Sequence, residues 1–217
     1  MSPREGVQKK VLVTAGPTRE RIDPVRYLSN DSSGKMGFAI AEASVAAGHE
    51  VVLIAGPVEL ETPKGVKRIN VESAREMLAE VREAFPECDT LFMAAAVCDF
   101  RPARRLRGKW RKKDVGQERA SLELISNPDI LASVARRKGD RLVVGFALET
   151  ADGLRRAREK LERKRMDFVV LNGPLALNAA KTSVTILGRD GSRRDLKGRT
   201  KRAVAKVLVG LRSPAAG

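Results

Sequence analysis

Short apolar runs alternate along this chain with segments in which apolar residues recur every three or four positions. Apolar runs of four to eight residues are typical of strands buried on both faces, whereas the longer spacing is typical of helices packed on one side. The runs predict strands at 10–15, 50–55, 66–71, 90–97, 122–125, 142–147 and 167–171. Residues 183–187 and 193–196, joined through Asp190-Gly191, predict a hairpin. The other pattern predicts helices at 36–47, 74–85, 128–135, 151–165 and 200–211, and Asn127 is expected to cap the third of them.

Strands that alternate with helices in this way predict an α/β fold. Each connection is long enough to cross over, so we expect a mostly parallel sheet with helices on both faces. The C-terminal hairpin and helix complete it. No repeat or linker divides the chain, and we predict one domain over 10–212, a flexible segment at 1–9 and a flexible tail at 213–217.

A loop rich in serine and glycine, residues 29–37, precedes the first predicted helix. Little side-chain bulk there would let an anionic ligand approach the backbone N–H groups at the helix start. Ser33, Gly34, Lys35 and Met36 are therefore candidates for binding a phosphate or carboxylate. The alternative is that Ser32 or Ser33 merely caps the helix.

The predicted strand 90–97 ends in unusually small residues, 93–97. Open α/β sheets bind ligands at the carboxyl ends of their strands, where small side chains let a ligand lie close to the backbone. Tight packing under a helix is the alternative explanation.

Two groups of basic residues stand out. The stretch 103–119 has no apolar period and contains Lys109, so we predict a mobile surface loop. Lys160 and Lys164 lie one turn apart on a predicted helix, where an anion between them would relieve their repulsion. From spacing alone, the favoured explanation is a solvated basic helix face.

Composition narrows the classes of function. The formal charge of +15 on 217 residues suits either nucleic acid or small polyanionic substrates, but aromatics are only 4% and provide no stacking platform. A basic nucleic-acid-binding module is kept as an alternative. The loop at Gly16 and Pro17 has one glycine where a dinucleotide fingerprint has three, which disfavours a second alternative, an NADP-dependent short-chain oxidoreductase.

Cysteine and histidine usage argues against a metal centre. Cys88 and Cys98 have no ligand spacing, and His49, the single histidine, is expected in a surface loop. No apolar run is long enough to span a membrane, and the N-terminus has no apolar signal core, so we expect a cytoplasmic protein without a membrane partner.

Several motifs together resemble a known family. They are TAGPTRE at 14–20, DPVRYLSN at 23–30, SSGKMG at 32–37, AAVCDFRP at 95–102, NPDI at 127–130 and GFALET at 145–150. In this order they resemble the phosphopantothenate-cysteine ligases of coenzyme A biosynthesis, of the bacterial CTP-dependent type. The family usually has Ala-Asp-Tyr where this chain has Cys98-Asp99-Phe100.

The resemblance implies a Rossmann-like fold and a defined reaction. The ligase joins 4'-phosphopantothenate to L-cysteine, using CTP with Mg2+, through an acyl-cytidylate and with release of pyrophosphate and CMP. It implies a homodimer, and a phosphopantothenoylcysteine decarboxylase as a fused domain or a separate partner. Neither the fold nor this reaction requires nucleic acid.

The resemblance also implies roles for single residues. Asn30 and Lys109 would be catalytic, and Arg26, Asn30, Ala95 and Ala96 would bind the acid substrate, Arg26 by reaching the substrate phosphate of a partner subunit. The nucleotide would be bound by Gly16, Ser33, Gly34, Lys35, Met36, Asp99, Lys109, Asn127, Pro128, Asp129, Ile130, Phe146, Lys160 and Lys164. On this view Lys160 and Lys164 bind phosphate and are not simply solvated.

Overall fold

A computed structural model of the protein describes residues 8–112, 119–148, 152–173 and 181–212. Its strands are β1 (Lys10–Ala15), β2 (Arg19–Arg21), β3 (Tyr27–Ser29), β4 (Glu50–Ala55), β5 (Val66–Asn70), β6 (Thr90–Met93), β7 (Phe100–Pro102), β8 (Leu124–Ser126), β9 (Leu142–Leu148), β10 (Phe168–Asn172), β11 (Lys181–Gly188) and β12 (Arg193–Thr200). The described helices are α1 (Lys35–Ala46), α2 (Ala74–Ala84), α3 (Ile130–Ala135), α4 (Gly153–Arg163) and α5 (Lys201–Val209), with a 3-10 turn at Phe85–Glu87.

One large sheet organises the fold. Its order is β12-β11-β10-β9-β6-β1-β4-β5, and the strands from β10 to β5 are paired in parallel. β11 and β12 add an antiparallel hairpin at the other edge. The predicted α/β fold and its C-terminal hairpin and helix are confirmed.

Two apolar layers cover the two faces of this sheet. On one face α1 and α5 pack together over the sheet, with Ile40 and Leu208 fully buried. On the other face α2, α3 and α4 contribute Met77, Leu131 and Leu161 to a second layer. Burial on both sides explains why the central parallel strands have continuous apolar runs, whereas β5 at the edge is only partly buried and contains Lys67 and Arg68.

α1 lies very close to the first strand. A side-chain carbon added at Gly37 would lie 2.5 Å from the Ala15 Cβ atom, so only glycine permits this approach. The helix begins after Gly34, which has a φ of 73° and no side-chain cap. The alternative that Ser32 or Ser33 caps this helix is therefore wrong, since no serine hydroxyl satisfies its first turn.

Two element boundaries differ from the sequence pattern in ways that matter. The strand predicted to reach residue 97 ends at Met93, because Gly16 turns β1 away at φ 76° and leaves only an isolated bridge between Pro17 and Ala96. The third helix is capped by the Asp129 side chain, not by Asn127, and begins at Ile130.

Other boundaries shift by one to four residues, the largest shift being the last strand, which runs from Arg193 to Thr200. The strand predicted at 122–125 is 124–126, those at 66–71 and 167–171 are 66–70 and 168–172, and the last helix is 201–209. The helix predicted at 151–165 is described over 153–163.

Two small antiparallel sheets were not predicted. β2 pairs with β3, β7 pairs with β8, and β2 lies against β7. Their strands are three residues long and too short to show an alternating pattern. They flank the basic stretch 103–119, of which 113–118 lies outside the described residues.

The chain ends also fall largely outside the description. Residues 1–7 and 213–217 are not among the described residues, so the predicted flexible segments stay predictions. Within the described ranges, no helix has the length and apolarity needed to cross a bilayer.

Candidate active site

A cavity of about 740 Å³ opens at the carboxyl edge of the sheet. Its walls come from the segment after β6, the ends of β9 and β10, and the starts of α1, α3 and α5. This is the edge at which parallel α/β sheets bind their ligands. The predicted site residues that line it are Asn30, Ser33, Met36, Ala95, Ala96, Asp99, Asn127, Pro128, Asp129, Ile130, Phe146, Lys160 and Lys164.

Asn30 is held at one wall through the backbone of Ala96. Its Nδ2 donates to the Ala96 carbonyl over 3.1 Å, and the same carbonyl accepts the Thr18 N–H over 3.2 Å. The Ala96 N–H donates to the Gly16 carbonyl over 2.9 Å. Asn30 therefore sits beside the small residues that follow β6, as a substrate-orienting amide requires.

A turn at 127–129 forms the opposite wall. Asn127 donates from Nδ2 to the Cys98 carbonyl over 2.9 Å, which ties this turn to the segment after β6. Asp129 accepts the Ala132 N–H at 3.0 Å as the cap of α3. The cap and the tie fix both ends of the turn, so its backbone is preorganised.

Lys160 and Lys164 point into this wall and not into bulk solvent. Lys164 Nζ lies 3.0 Å from Asp129 Oδ2 and its side chain is only 16% exposed. Lys160 Nζ donates to the Phe146 carbonyl over 2.6 Å. The interpretation of a solvated basic helix face is thus wrong for these two lysines. α4 packs against β9 and β10, and its Lys160 and Lys164 side chains line the cavity.

Asp129 carries the negative charge that balances Lys164. Burial raises the pKa of this carboxyl, but the Ala132 N–H and the Lys164 ammonium outweigh it and lower the pKa below its usual 3.8. Asp129 is therefore ionised at neutral pH. An incoming anion would compete with it for Lys164.

Three predicted nucleotide residues do not line the cavity but lie beside it. Gly16 and Gly34 pack against each other and against Val58, so a side chain on either would collide with its neighbours. Lys35 is exposed at the first position of α1. The glycines thus allow a close backbone approach of the first loop to α1.

Arg26 and Lys109 are also outside the cavity wall, and they share a different cluster. The buried Asp23 carboxylate accepts two bonds from the Arg26 guanidinium, at 2.7 and 3.0 Å, and the Trp110 N–H at 3.0 Å. Arg26 also donates to the Trp110 carbonyl. Lys109 therefore lies next to the turn between β2 and β3. This turn ends at Arg26, four residues before Asn30.

This cluster is strongly ionic. Burial raises the pKa of Asp23, yet the N–H groups of Trp110, Val25 and Arg26 together hold it far below its usual range. A carboxylate with that many donors ties the basic stretch to the turn that precedes β3.

Sequence reasoning missed several residues at the cavity wall. Asp31, Asn172, Thr182 and Lys201 all line it. Asp31 lies inside the loop 29–37, beside Asn30. Asn172, Thr182 and Lys201 each stand at the end of an element and belong to no local motif, so only the packing of β10, β11 and α5 brings these three there. No sequence signal identified them.

A second, shallower depression of about 530 Å³ lies near the ends of β4 and β5. Arg68 lines it but is engaged with the Leu60 carbonyl and Asn70 Oδ1, both at 2.7 Å. None of the predicted site residues lines this depression, so the larger cavity is the candidate active site.

Acidic, cysteine and histidine side chains do not gather into a metal-binding group within the described residues. Burial raises the pKa of Cys88 to about 12 and also raises that of Cys98, which lines the cavity. His49 is half-buried and accepts the Lys9 N–H over 3.4 Å at Nδ1. Neither thiol is poised as a nucleophile.

Comparison with known proteins identifies the family. Residues 7–212 match the family described as DNA/pantothenate metabolism flavoprotein C-terminal domain. The chain belongs to this family. Its α/β fold is that of a family member.

Named relatives agree with that assignment. The coenzyme A biosynthesis bifunctional protein CoaBC of Vibrio cholerae is 41% identical over 215 residues, which cover 97% of this chain and 53% of the relative. The protein of the same name from Bacillus subtilis is 44% identical over 200 residues, covering 90% and 48%. The chain spans about half the length of these relatives.

A solved structure supports the fold of the family member. The crystal structure of the C-terminal domain of CoaBC superposes with a TM-score of 0.82 at 37% identity, and the match covers 95% of each chain. The predicted Rossmann-like architecture is therefore shared with a family domain of the same extent.

Proposed function

We propose that this chain is a phosphopantothenate-cysteine ligase that activates 4'-phosphopantothenate with CTP and joins it to L-cysteine. The observation that carries the proposal is one cavity that contains both Asn30, beside small residues, and the lysine pair at 160 and 164. Family membership and the name of its relatives point to the same pathway.

The chemistry needs this combination of groups. A carboxylate is a poor acyl electrophile, so it must first attack the α-phosphate of CTP and expel pyrophosphate. Charge builds on the departing phosphates, and ammonium groups in a partly buried site stabilise it. Lys164 is 16% exposed and can exchange Asp129 for a phosphate oxygen without moving into water.

The nucleotide would lie along the wall formed by Asp99, the 127–130 turn and Phe146. Asp99 is exposed at the cavity mouth and can accept a ribose hydroxyl. The first turn of α1, whose N–H groups lack a side-chain cap, points partial positive charge toward the phosphates beside Ser33.

The acid would lie against the segment after β6. Ala95 and Ala96 are only half-buried and present backbone to the cavity. Asn30, anchored on the Ala96 carbonyl, would orient the activated carboxyl group and hold the acyl-cytidylate until the amine of cysteine displaces CMP.

Mg2+ would enter with the triphosphate. Carboxylate, cysteine and histidine side chains form no ligand cluster in the described ranges, so phosphate and water oxygens would supply most of its ligands, as is usual for nucleotide-bound magnesium. Bound there, the ion would neutralise charge on the leaving pyrophosphate.

Lys109 and Arg26 would reach the reaction by movement or from a second copy. Both are linked through Asp23 and Trp110 to the turn before β3, outside the cavity wall. The small sheets beside them expose Val25 and Phe100 by 56% and 53%. Such apolar exposure supports a homodimer in which Arg26 binds the acid's phosphate across the interface.

The relatives are bifunctional proteins about twice as long as this chain. We infer that the ligase works beside a phosphopantothenoylcysteine decarboxylase, on the same chain or on another, in the cytoplasm. Its product carries the carboxyl group that such an enzyme removes.

Pyrophosphate release tests the proposal. The purified chain, incubated with 4'-phosphopantothenate and L-cysteine, should release pyrophosphate with CTP and much less with ATP, and only when the acid is present. No release with either nucleotide would contradict the proposal.

Two variants test the roles of single residues. Lys109→Gln should abolish most nucleotide turnover, whereas Lys112→Gln, the same change on the same basic stretch, should not. Asn30→Asp should let acyl-cytidylate accumulate, detected by mass spectrometry after quenching. Normal turnover in both Lys109→Gln and Asn30→Asp would show that these roles are wrong.

The nucleic-acid alternative has its own test. Binding through several phosphate contacts would weaken steeply with salt, so a salt titration against duplex and single-stranded DNA decides it. The oxidoreductase alternative is disfavoured because the loop after β1 packs Gly16 against Gly34 and leaves no glycine-rich pyrophosphate turn.

A further inference from the structure

Two buried polar side-chain atoms at one corner of the cavity have no hydrogen-bond partner among the described residues. Thr182 is 3% exposed, and its hydroxyl has no hydrogen-bond partner in the part of the chain that the structure describes. The same holds for Oδ1 of Asn172. Both residues line the cavity. Since buried polar side-chain atoms are nearly always paired, two unpaired ones at one place point to a bound molecule.

The strand pairing explains why these two residues meet. Asn172 ends β10 opposite Val184 of β11, and the register shifts between Thr182 and Val184. Val184 belongs to the apolar layer under α1 and α5. The corner therefore lies at the carboxyl end of the sheet, beneath the first residues of these two helices.

Lys201 adds positive charge to this corner. It is the first residue of α5 and lines the same cavity. Burial, together with the ammonium of Lys35 at the start of α1, lowers the pKa of Lys201. A negatively charged group of a ligand would be stabilised here.

The two unpaired oxygens limit what that ligand can be. An amide Oδ1 can only accept a hydrogen bond, so the ligand must donate one to Asn172. An ionised phosphate has no proton to donate, whereas an amine does. Thr182 can donate its hydroxyl proton to a carboxylate beside Lys201. A molecule with an amine and a carboxylate on neighbouring atoms satisfies all three groups.

We propose that Asn172, Thr182 and Lys201 form the subsite for the amino-acid substrate, L-cysteine. This inference rests on the proposed ligase function. The amine of cysteine donates an N–H to Asn172 Oδ1, and its carboxylate accepts from Thr182 Oγ1 and Lys201 Nζ. The amine thereby faces the acyl group that Asn30 orients in the same cavity.

The bonds in this step balance without another reactant. The amine lone pair forms the new C–N bond, the bond between the acyl carbon and the CMP oxygen breaks, and CMP leaves with that electron pair. One proton leaves the nitrogen as the amide forms. The subsite holds the nucleophile and needs no group to become covalently attached.

The two half-reactions can be measured separately. Exchange of labelled pyrophosphate into CTP requires the acid but no cysteine, whereas amide formation requires cysteine. We expect Thr182→Val to raise the KM for L-cysteine by about tenfold or more, the effect of losing one hydrogen bond to a charged group. Its pyrophosphate exchange and its KM for CTP should stay within about twofold of the parent, because one lost contact to cysteine leaves the first step intact.

Two control variants separate binding from folding. Thr182→Ser keeps the hydroxyl and should retain the parent KM for cysteine. Thr185→Val lies on the same strand, but Thr185 bonds to Asp195 and does not line the cavity, so it should also leave this KM unchanged. Lys201→Gln should raise the KM for cysteine in the same direction as Thr182→Val.

Direct binding distinguishes failure of the subsite from failure of the ligase proposal. Calorimetric titration of L-cysteine in the presence of CTP, without the acid, should show binding to the parent and at least about tenfold weaker binding to Thr182→Val. This result supports the subsite whether or not pyrophosphate is released.

Two results would overturn the subsite while leaving the ligase intact. One is a Thr182→Val enzyme whose pyrophosphate exchange and KM for CTP worsen while its KM for cysteine does not, which would assign the corner to the triphosphate. The other is an unchanged KM for every substrate in both Thr182→Val and Lys201→Gln.

Discussion

Replacing Gly37 with alanine tests whether the site depends on the close approach of α1 to the central strand. Gly37 is buried in the first turn of α1, and an added methyl carbon would lie 2.5 Å from Ala15 Cβ and 3.0 Å from both Ala15 Cα and the Thr14 carbonyl oxygen. Ala15 and Thr14 are fully buried in β1, which is paired on both sides. Neither can move away cheaply.

Two effects of opposite sign compete at this position. Alanine is the better helix former by about 1 kcal/mol, which alone would stabilise the variant. Against that, carbon atoms prefer separations of about 3.5–4.0 Å, so the helix start must shift by about 1 Å. Overpacking of this kind costs about 1–3 kcal/mol. We expect packing to win, with a net loss of up to about 2 kcal/mol in the free energy of unfolding.

The shift should also reach the reaction. The start of α1 carries Ser33 and Met36, which line the cavity. A displacement of about 1 Å in a positioned group can lower turnover by about 100-fold. Gly37→Ala should therefore lower kcat by about 10- to 100-fold in the pyrophosphate assay, a larger effect than its stability loss would suggest.

Urea unfolding and pyrophosphate release together check this prediction. Gly210→Ala is the matched control, because its added carbon would meet only Val207 and Lys206 oxygens at 3.4 and 3.6 Å at the end of α5. It should change stability by less than about 1 kcal/mol and leave turnover unchanged. A Gly37→Ala protein as stable and as active as Gly210→Ala would refute the reasoning.

Three further predictions follow from buried or charged side chains. Asp23→Asn should be less stable than the parent at neutral pH, and the difference in stability should shrink as the pH falls below about 3.8. The reason is that a carboxylate with a lowered pKa stops stabilising the fold when it is protonated. Urea unfolding at a series of acidic pH values measures this difference. Neither Cys88, whose pKa is raised to about 12, nor Cys98 should react with a thiol-specific reagent at pH 8 until the protein is unfolded. Rapid labelling of either thiol in the native protein would contradict their burial. Lys138→Met should lower the free energy of unfolding by about 3 kcal/mol, because it leaves the Asp167 carboxylate, which is 5% exposed, without its cation. An unchanged urea midpoint would show that this ion pair does not stabilise the fold.

The sequence predicted the layers of the fold because they depend on local pattern. Short continuous apolar runs favoured strands buried on both faces, and the Asp190-Gly191 turn favoured a hairpin of 183–187 and 193–196. The pattern failed where tertiary contacts decide. It extended β6 past Met93, and it made Asn127 a cap although its amide is used to bind the Cys98 carbonyl.

The candidate site divides in the same way. Pattern identified the loop 33–36 and the small residues 93–97, which include Ala95 and Ala96. The resemblance, not the spacing, identified Asn30, Lys160 and Lys164 as site residues. Neither pattern nor resemblance placed Arg26 and the backbone of Trp110, the residue after Lys109, together on Asp23, outside the cavity wall. That arrangement depends on a contact between the turn after β2 and residue 110, which are far apart along the chain.

The amino-acid sequence by itself determined the strands of the large sheet, the helices that cover it and the loops that carry candidate chemistry, because periodic burial and glycine or serine content act over a few residues. Only the tertiary structure decided which loops share a cavity, and it alone brought Asn172, Thr182 and Lys201 to one corner. The physical reason is that the ends of β10, β11 and α5 meet through sheet pairing and helix packing. Those contacts join residues whose separation along the chain carries no local signal.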